Sequence, residues 1–394
     1  MLLSAIGILI LAVTILDALL TILDASGRSL FSTKAYRLFW WTWRHLAKLL
    51  PYRVAQGALS LAAPLMIGLM ISLWIGGIVT GFALIFYGGM SFGDFITGGG
   101  SQPSLPAAFR LSWVTLSTIG FVEISPSNMM YSIAVALEAL LGTVILTFSI
   151  TYFLSVHRSI LKYDRLVADL HHRLGRSGDP MESVSKHLSR SDLSELKSLL
   201  SRLHDGVIGL HQGLSRYPIV YFYRPRAEER SLPRTIHVLG TLADTLTHCH
   251  PGLAQHLPDL QALKAGMQDL VRDLGEAYVP VEEADHSPPV SYTEFQEAFS
   301  GQDWAASLSV QRFLSNCRCL ETIVDQSFDT SDAYRNYLEW LPADRKTQAF
   351  VATIAHDLGY VEDLRPRRSS YLLGALSRGP KQGPQRLLFK RSNA

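Results

Sequence analysis

Residues Thr115 to Pro126 read T-L-S-T-I-G-F-V-E-I-S-P, a run of hydroxyl, glycine and acidic positions set between two apolar stretches. One of these, Val54 to Gly93, contains no charged side chain, and the other begins at Met129. The arrangement predicts a membrane helix, a short descending helix, an extended loop and a second membrane helix, which is the layout of a cation pore. Thr118, Ile119, Gly120, Phe121, Val122 and Glu123 form the loop. Non-helical backbone at membrane depth is tolerated only where it is buried in protein or lines water. The loop therefore needs neighbouring subunits around it, and one loop per chain implies a homotetramer.

Chemistry is scarce elsewhere. No G-x-G-x-x-G and no P-loop occurs, so neither a dinucleotide nor another cofactor is indicated. His171-His172 and His248-Cys249-His250 lack convergent ligands at metal-compatible spacing and read as surface or packing residues. Cys249, Cys317 and Cys319 all follow the apolar stretches, which argues against a disulfide framework and places the C-terminal region in a reducing compartment. No nucleophile, metal set or acid/base constellation stands out, so an enzyme is not expected. The balance of 36 basic against 34 acidic residues gives no pull toward nucleic acid.

Three segments can position the loop. Leu2 to Leu23, about Leu59 to Tyr87 and about Met129 to Val156 are each long enough to cross a bilayer, which takes about 20 apolar residues. The first carries no leading positive charge and no small-residue cleavage pattern, so it is read as a membrane helix rather than a signal peptide. Arg28, Lys34, Arg37, Arg44, Lys48 and Arg53 collect between the first two spans, whereas Arg110 stands alone between the second and third. By the positive-inside bias the first connection is cytoplasmic, the loop faces outward and everything after the third span is cytoplasmic. The protein is thus expected in the plasma or inner membrane, as a multi-pass chain. No span carries repeated arginines, so voltage sensing is not expected.

From Lys34 to Leu50, Tyr36, Phe39, Trp40, Trp43, Leu46 and Leu50 recur at helical spacing, with Arg37, Arg44 and Lys48 on another face. That composition suits a helix lying in the membrane interface, in contact with lipid. The alternative is a helix packed against the soluble part. The glycine-rich segment from Gly88 to Pro103 reads as an irregular loop, after which Ser104 caps a short helix to about Ser117. Glu138 lies in the outer third of the last span, where an ionisable group needs a partner such as Thr115 or Ser112. Asp17, about two turns from the cytoplasmic end of the first span, is expected to reach interfacial water. Gly142, within L-L-G-T, serves either as a gate hinge or as a point of close helix contact.

From about Ala58 to Ser155 the chain resembles the bacterial potassium channel family, whose subunits carry two pore-forming helices and whose T-V-G-Y-G loops replace an ion's hydration shell with backbone carbonyls. Thr118, Ile119, Gly120 and Phe121 fit that motif with Ile for Val and Phe for Tyr, and Glu123 stands where a carboxylate follows the filter. The resemblance implies an ion-binding filter over 118–123, supported from behind by Trp113, Thr115 and Glu138. Val122 takes the place of the second glycine. A β-branched residue reaches positive φ only with strain, so potassium selectivity is expected to be reduced.

The expected fold is an all-α membrane protein. An N-terminal membrane helix (1–23) leads to a cytoplasmic linker with an amphipathic helix (24–56). The pore module (57–156) holds a pore helix over 104–117, a filter over 118–123 and a membrane helix over 129–156. A helical cytoplasmic domain (157–364) contains stretches at 159–174, 188–214, 232–247, 257–278, 292–328 and 332–364, with 217–230 as an irregular connector. The tail from Arg365 carries basic residues and no acidic one, suited to anionic lipid. The expected function is a tetrameric cation channel conducting potassium or another monovalent cation. The alternative is a non-conducting receptor or scaffold with a degenerate pore that displays the cytoplasmic domain.

Overall fold

The computed structural model describes residues 2–23, 29–97, 103–120, 124–173, 181, 193–225, 228–249, 251–255, 257–279, 287–301, 307–324 and 329–360. Phe121, Val122, Glu123 and the basic tail lie outside them. The elements are α1 (Leu2–Leu23), α2 (Ser32–Ala47), α3 (Tyr52–Ser60), α4 (Ala62–Ser91), β1 (Phe95–Thr97), α5 (Leu105–Leu116), β2 (Ile124–Pro126), α6 (Met129–Arg173), α7 (Leu193–Arg216), α8 (Leu232–His248), α9 (Pro251–Ala254), α10 (Pro258–Ala277), α11 (Tyr292–Phe299), α12 (Leu308–Val324) and α13 (Thr330–Asp357). The chain divides into two compact units, Met1–Leu166 with Asp205–Leu232, and Val167–His204 with Pro233–Ala394.

In the first unit, α1, α4 and α6 are long and apolar enough to cross a membrane. Small residues let α1 and α4 run antiparallel in close contact: Gly88 faces Ser4, Gly81 faces Gly7 and Leu11, and Gly77 faces Thr14, with no room for a side chain at any of the three glycines. Between apolar helices in lipid, such small-residue seams replace the hydrophobic drive available in water. α4 continues to Ser91, so Gly88 and Gly89 belong to its last turn rather than to the expected loop. Both are buried there, and a side chain on Gly89 would strike Tyr131.

The connection that follows is not wholly irregular. β1 and β2 pair antiparallel with Phe95 opposite Pro126, Ile96 opposite Ser125 and Thr97 opposite Ile124. This small ribbon departs from an all-helical reading. Phe95 packs its ring 5.1 Å from Tyr131 and 5.9 Å from Phe86, which fixes the ribbon to α6 and α4.

Tyr217–Phe222 also belongs to the first unit, whereas the sequence reading placed everything after 156 in one body. The reason is aromatic packing: Phe222 lies 5.5 Å from Trp40 of α2, and Tyr217 lies 6.1 Å from Tyr152 of α6. A short 3-10 turn, Pro218–Val220, folds this segment so that Ile219 and Tyr221 are buried as well.

In the second unit α8 is buried on nearly every side. α11, α12 and α13 meet in an aromatic core of Phe295, Phe313, Tyr334, Tyr337 and Trp340. The helix expected over 292–328 is two helices. α11 starts at a capping box, Ser291 with Glu294, and stops at Ser300, after which Gly301 takes φ +79°. That left-handed conformation is open to glycine without a side-chain clash and ends the helix.

Candidate functional site

Ser104 accepts a hydrogen bond from the Ala107 amide and starts α5, with Pro106 in its first turn. A 12-residue helix is about 18 Å long, too short to cross a bilayer. Its last turn is closed by two bonds from the loop: the Ile119 amide donates to the Val114 carbonyl at 3.3 Å, and the Thr118 amide to the Thr115 carbonyl at 3.0 Å. This is a helix stop in which the residue after the cap turns left-handed, a place usually held by glycine. Here it is Thr118, at φ +58°. Gly120 follows at φ +76°. A β-branched residue in that region is strained, and such strain persists only where the surroundings enforce it.

The third span packs directly against the end of α5. Gly142 lies against the Leu116 carbonyl so closely that any β-carbon would collide with it. Within this structure Gly142 is a point of close contact inside an unbroken α6. Four residues earlier on the same helix, the fully buried Glu138 hydrogen-bonds Ser112 through Oε1. Ser112 Oγ also lies 3.0 Å from the Val79 carbonyl, tying α4, α5 and α6 together behind the loop. Glu138 Oε2 is buried with no protein partner among the described residues. Thr115 is buried at the back of α5, while Trp113 is 57% exposed in the single chain and Thr118, Ile119 and Gly120 are exposed too. One chain therefore leaves Thr118, Ile119, Gly120 and the ring of Trp113 uncovered. The remaining motif residues, Phe121, Val122 and Glu123, lie outside the described residues.

Sequence reasoning missed a feature of α6. Thr143, Thr147, Thr151 and Ser155 recur every fourth residue, and the three threonines are exposed. Residues four apart share a helix face, so a line of hydroxyls runs along an otherwise apolar span. Thr147 Oγ1 donates to the Thr143 carbonyl at 3.0 Å and Thr151 Oγ1 to the Thr147 carbonyl at 2.9 Å. Each hydroxyl oxygen keeps acceptor capacity for water or an ion. The spacing T-x3-T-x3-T-x3-S was the available signal.

A second network was only half legible. Asp17 does not reach interfacial water; it is fully buried and collects five donors. Its Oδ1 accepts from the amides of Leu30 at 2.7 Å, Phe31 at 2.9 Å and Ser32 at 3.4 Å, and its Oδ2 from Ser32 Oγ at 2.5 Å and Trp74 Nε1 at 3.0 Å. The carboxyl group of α1 thus caps α2, whose own N-cap residue, Phe31, has no side chain able to do so. From there Tyr36 reaches across to Tyr152 of α6, hydroxyl to hydroxyl at 2.7 Å, and Trp74 packs edge-on against the same ring. α2 therefore has two sides: Tyr36 and Trp40 face the protein, whereas Leu38, Trp41 and Leu46 are exposed.

The chain is similar to an uncharacterized membrane protein, YdjJ, of Bacillus subtilis (strain 168), with 24% identity over 290 residues that cover 72% of this chain and 82% of that protein. No family model matches. No solved structure matches either. With three helices apolar enough to span a bilayer, the similarity supports one coarse statement. The chain is a membrane protein.

Proposed function

We propose that this protein is the subunit of a homotetrameric channel that passes potassium or another monovalent cation passively across the cell membrane. The observation that carries the reading is the end of α5. A helix too short to cross a bilayer lies between two that can, and its C-terminus passes into a strained left-handed turn at Thr118, within the T-I-G motif. Four such ends around an axis would direct the negative ends of their helix dipoles and the carbonyls of 118–123 at a shared ion path. The exposed motif and Trp113 are then covered by neighbouring subunits, and the hydroxyl stripe Thr143–Thr147–Thr151–Ser155 lines the water-filled approach below.

The lysines and arginines between α1 and α4 and those after the third span favour a topology in which both regions are cytoplasmic and the loop is outside. The exposed side of α2 then rests in the lipid interface, and the basic tail faces the anionic leaflet.

The test is reconstitution of the purified protein into liposomes with a potassium gradient. Uptake of a potassium tracer driven by the gradient, and crosslinking between chains of a cysteine placed at Phe121, support the reading. A folded, correctly inserted protein that passes no cation is a receptor or scaffold instead.

A further inference from the structure

In the second unit the polar side of α8 points inward. His237, Asp244 and Thr245 are buried, and His248 stands at the end of the helix. Lys264 of α10 lies with Nζ 3.3 Å from His248 Nε2. An ammonium group has only protons to offer, so Nε2 must be the acceptor and the imidazole must be neutral, with its proton on Nδ1. On that side Glu339 Oε2 of α13 is 3.9 Å away. The bond from Lys264 therefore exists in one protonation state of His248 and not in the other.

We propose that the contact between α8 and α10 is an acid-sensitive latch: a proton taken from solution by His248 Nε2 breaks the bond from Lys264, sets two cations against each other and releases α10. Histidine is the side chain whose ordinary titration falls in the range that acidified cytosol reaches. The inference does not rest on the channel reading.

The groups around the contact bear on it in different ways: protonation of Asp244 removes an attraction on Lys264 but is itself favoured in the folded unit, Glu339 eases the charging of His248, and the acid loss comes from His248 against Lys264. Asp244, one turn before His248, accepts from Thr347 Oγ1 of α13 at 3.3 Å and attracts Lys264. Burial pushes its carboxyl up to about 6, against the pull of Lys264 and the Thr347 bond, and with the repulsion of Asp344 adding to the rise. Burial also holds His248 below the ordinary imidazole value, helped by Lys264 and opposed by Glu339. As pH falls, the anion that attracts Lys264 is neutralised and the cation that repels it forms. A histidine with a lowered folded value contributes stability that is fully present above its ordinary value and is lost as pH falls from there.

The other elements around α8 do not cancel this. α12 brings Arg312, which is held by Asp344 at 2.8 Å, Asn316, which donates to Thr245, and Cys317 beside Cys249. α13 adds Gln348, which bridges His237 and Asp344. α9 carries no titratable side chain.

Hydrogen–deuterium exchange of the full-length protein, with labelling times scaled for intrinsic exchange, reads the latch at about pH 7.5 and about pH 5, either side of the ordinary imidazole value. Peptides from α10 should exchange about tenfold faster at the acidic value, while those from α12 and α13 change little. In His248→Gln the amide oxygen still accepts from Lys264 but takes up no proton, so α10 should stay protected at both values. Should that variant not fold, Lys264→Met serves: α10 should exchange fast at both. Equal protection of α10 in the wild type at the two values overturns the proposal. So does acid release that persists unchanged in His248→Gln or Lys264→Met, or a loss of protection spread over the whole unit.

Discussion

Replacing Asp17 with alanine removes the acceptor for five donors, three of them backbone amides at the start of α2 and two of them the side chains of Ser32 and Trp74. The loss of a helix cap alone costs about 1 kcal/mol. Each buried donor left without a partner costs about 1–3 kcal/mol more. Some donors recover by taking water or by fraying the first turn of α2, so the expected total is roughly 3–5 kcal/mol, within the range for breaking a buried polar network. Asp17→Asn should fall between alanine and wild type. Its Oδ1 can hold the three amides, but its NH2 group meets the Trp74 N–H donor to donor. Denaturant unfolding of the purified protein in mixed micelles, followed by tryptophan fluorescence, measures both variants. An alanine variant within about 0.5 kcal/mol of wild type, less than a single cap, would show that α1 does not hold α2 and that the network through Tyr36 to α6 has no anchor.

Thr118→Gly should relieve the left-handed strain and stabilise the protein by about 1 kcal/mol while lowering ion flux, because the hydroxyl leaves the motif; stability and flux measured on one preparation separate the two effects. Tyr36→Phe and Tyr152→Phe should each cost about 1 kcal/mol, and the double variant little more than either, since both partners of one buried hydrogen bond are then gone. Asp244→Asn should stabilise the second unit. Its folded value of about 6 lies above the ordinary 3.8, so the native state binds this proton more tightly and loses stability as pH rises between those values. The gain should approach about 3 kcal/mol at neutral pH and vanish near pH 4 in thermal unfolding.

The three spans were legible because a membrane helix must be apolar along its whole length, and α5 because Ser104 and Ser117 mark its ends. Residues whose partners are distant in sequence were not. Asp17 finds its donors at 30–32 and at Trp74, and its position two turns from a span end suggested water instead. Tyr152 looked like an ordinary span residue until Tyr36 and Tyr217 met it from two other segments. The break between α11 and α12 rested on one glycine, Gly301, inside a run whose apolar spacing favoured a continuous helix. At the loop, the motif indicated non-helical backbone but not that threonine would take the left-handed position at the helix end.

The central claim, that the loop after α5 conducts cations, is tested most directly by recording currents from the reconstituted protein under potassium and sodium gradients, for the wild type, Gly120→Ala and Val122→Gly. Gly120 has open space around it but takes φ +76°, so an added methyl group strains the backbone rather than the packing. The account predicts a passive cation current in the wild type with modest preference for potassium, a current lost or strongly reduced in Gly120→Ala, and a reversal potential shifted toward that of potassium in Val122→Gly. Currents absent from a folded tetramer, or present and unchanged by both substitutions, would contradict it.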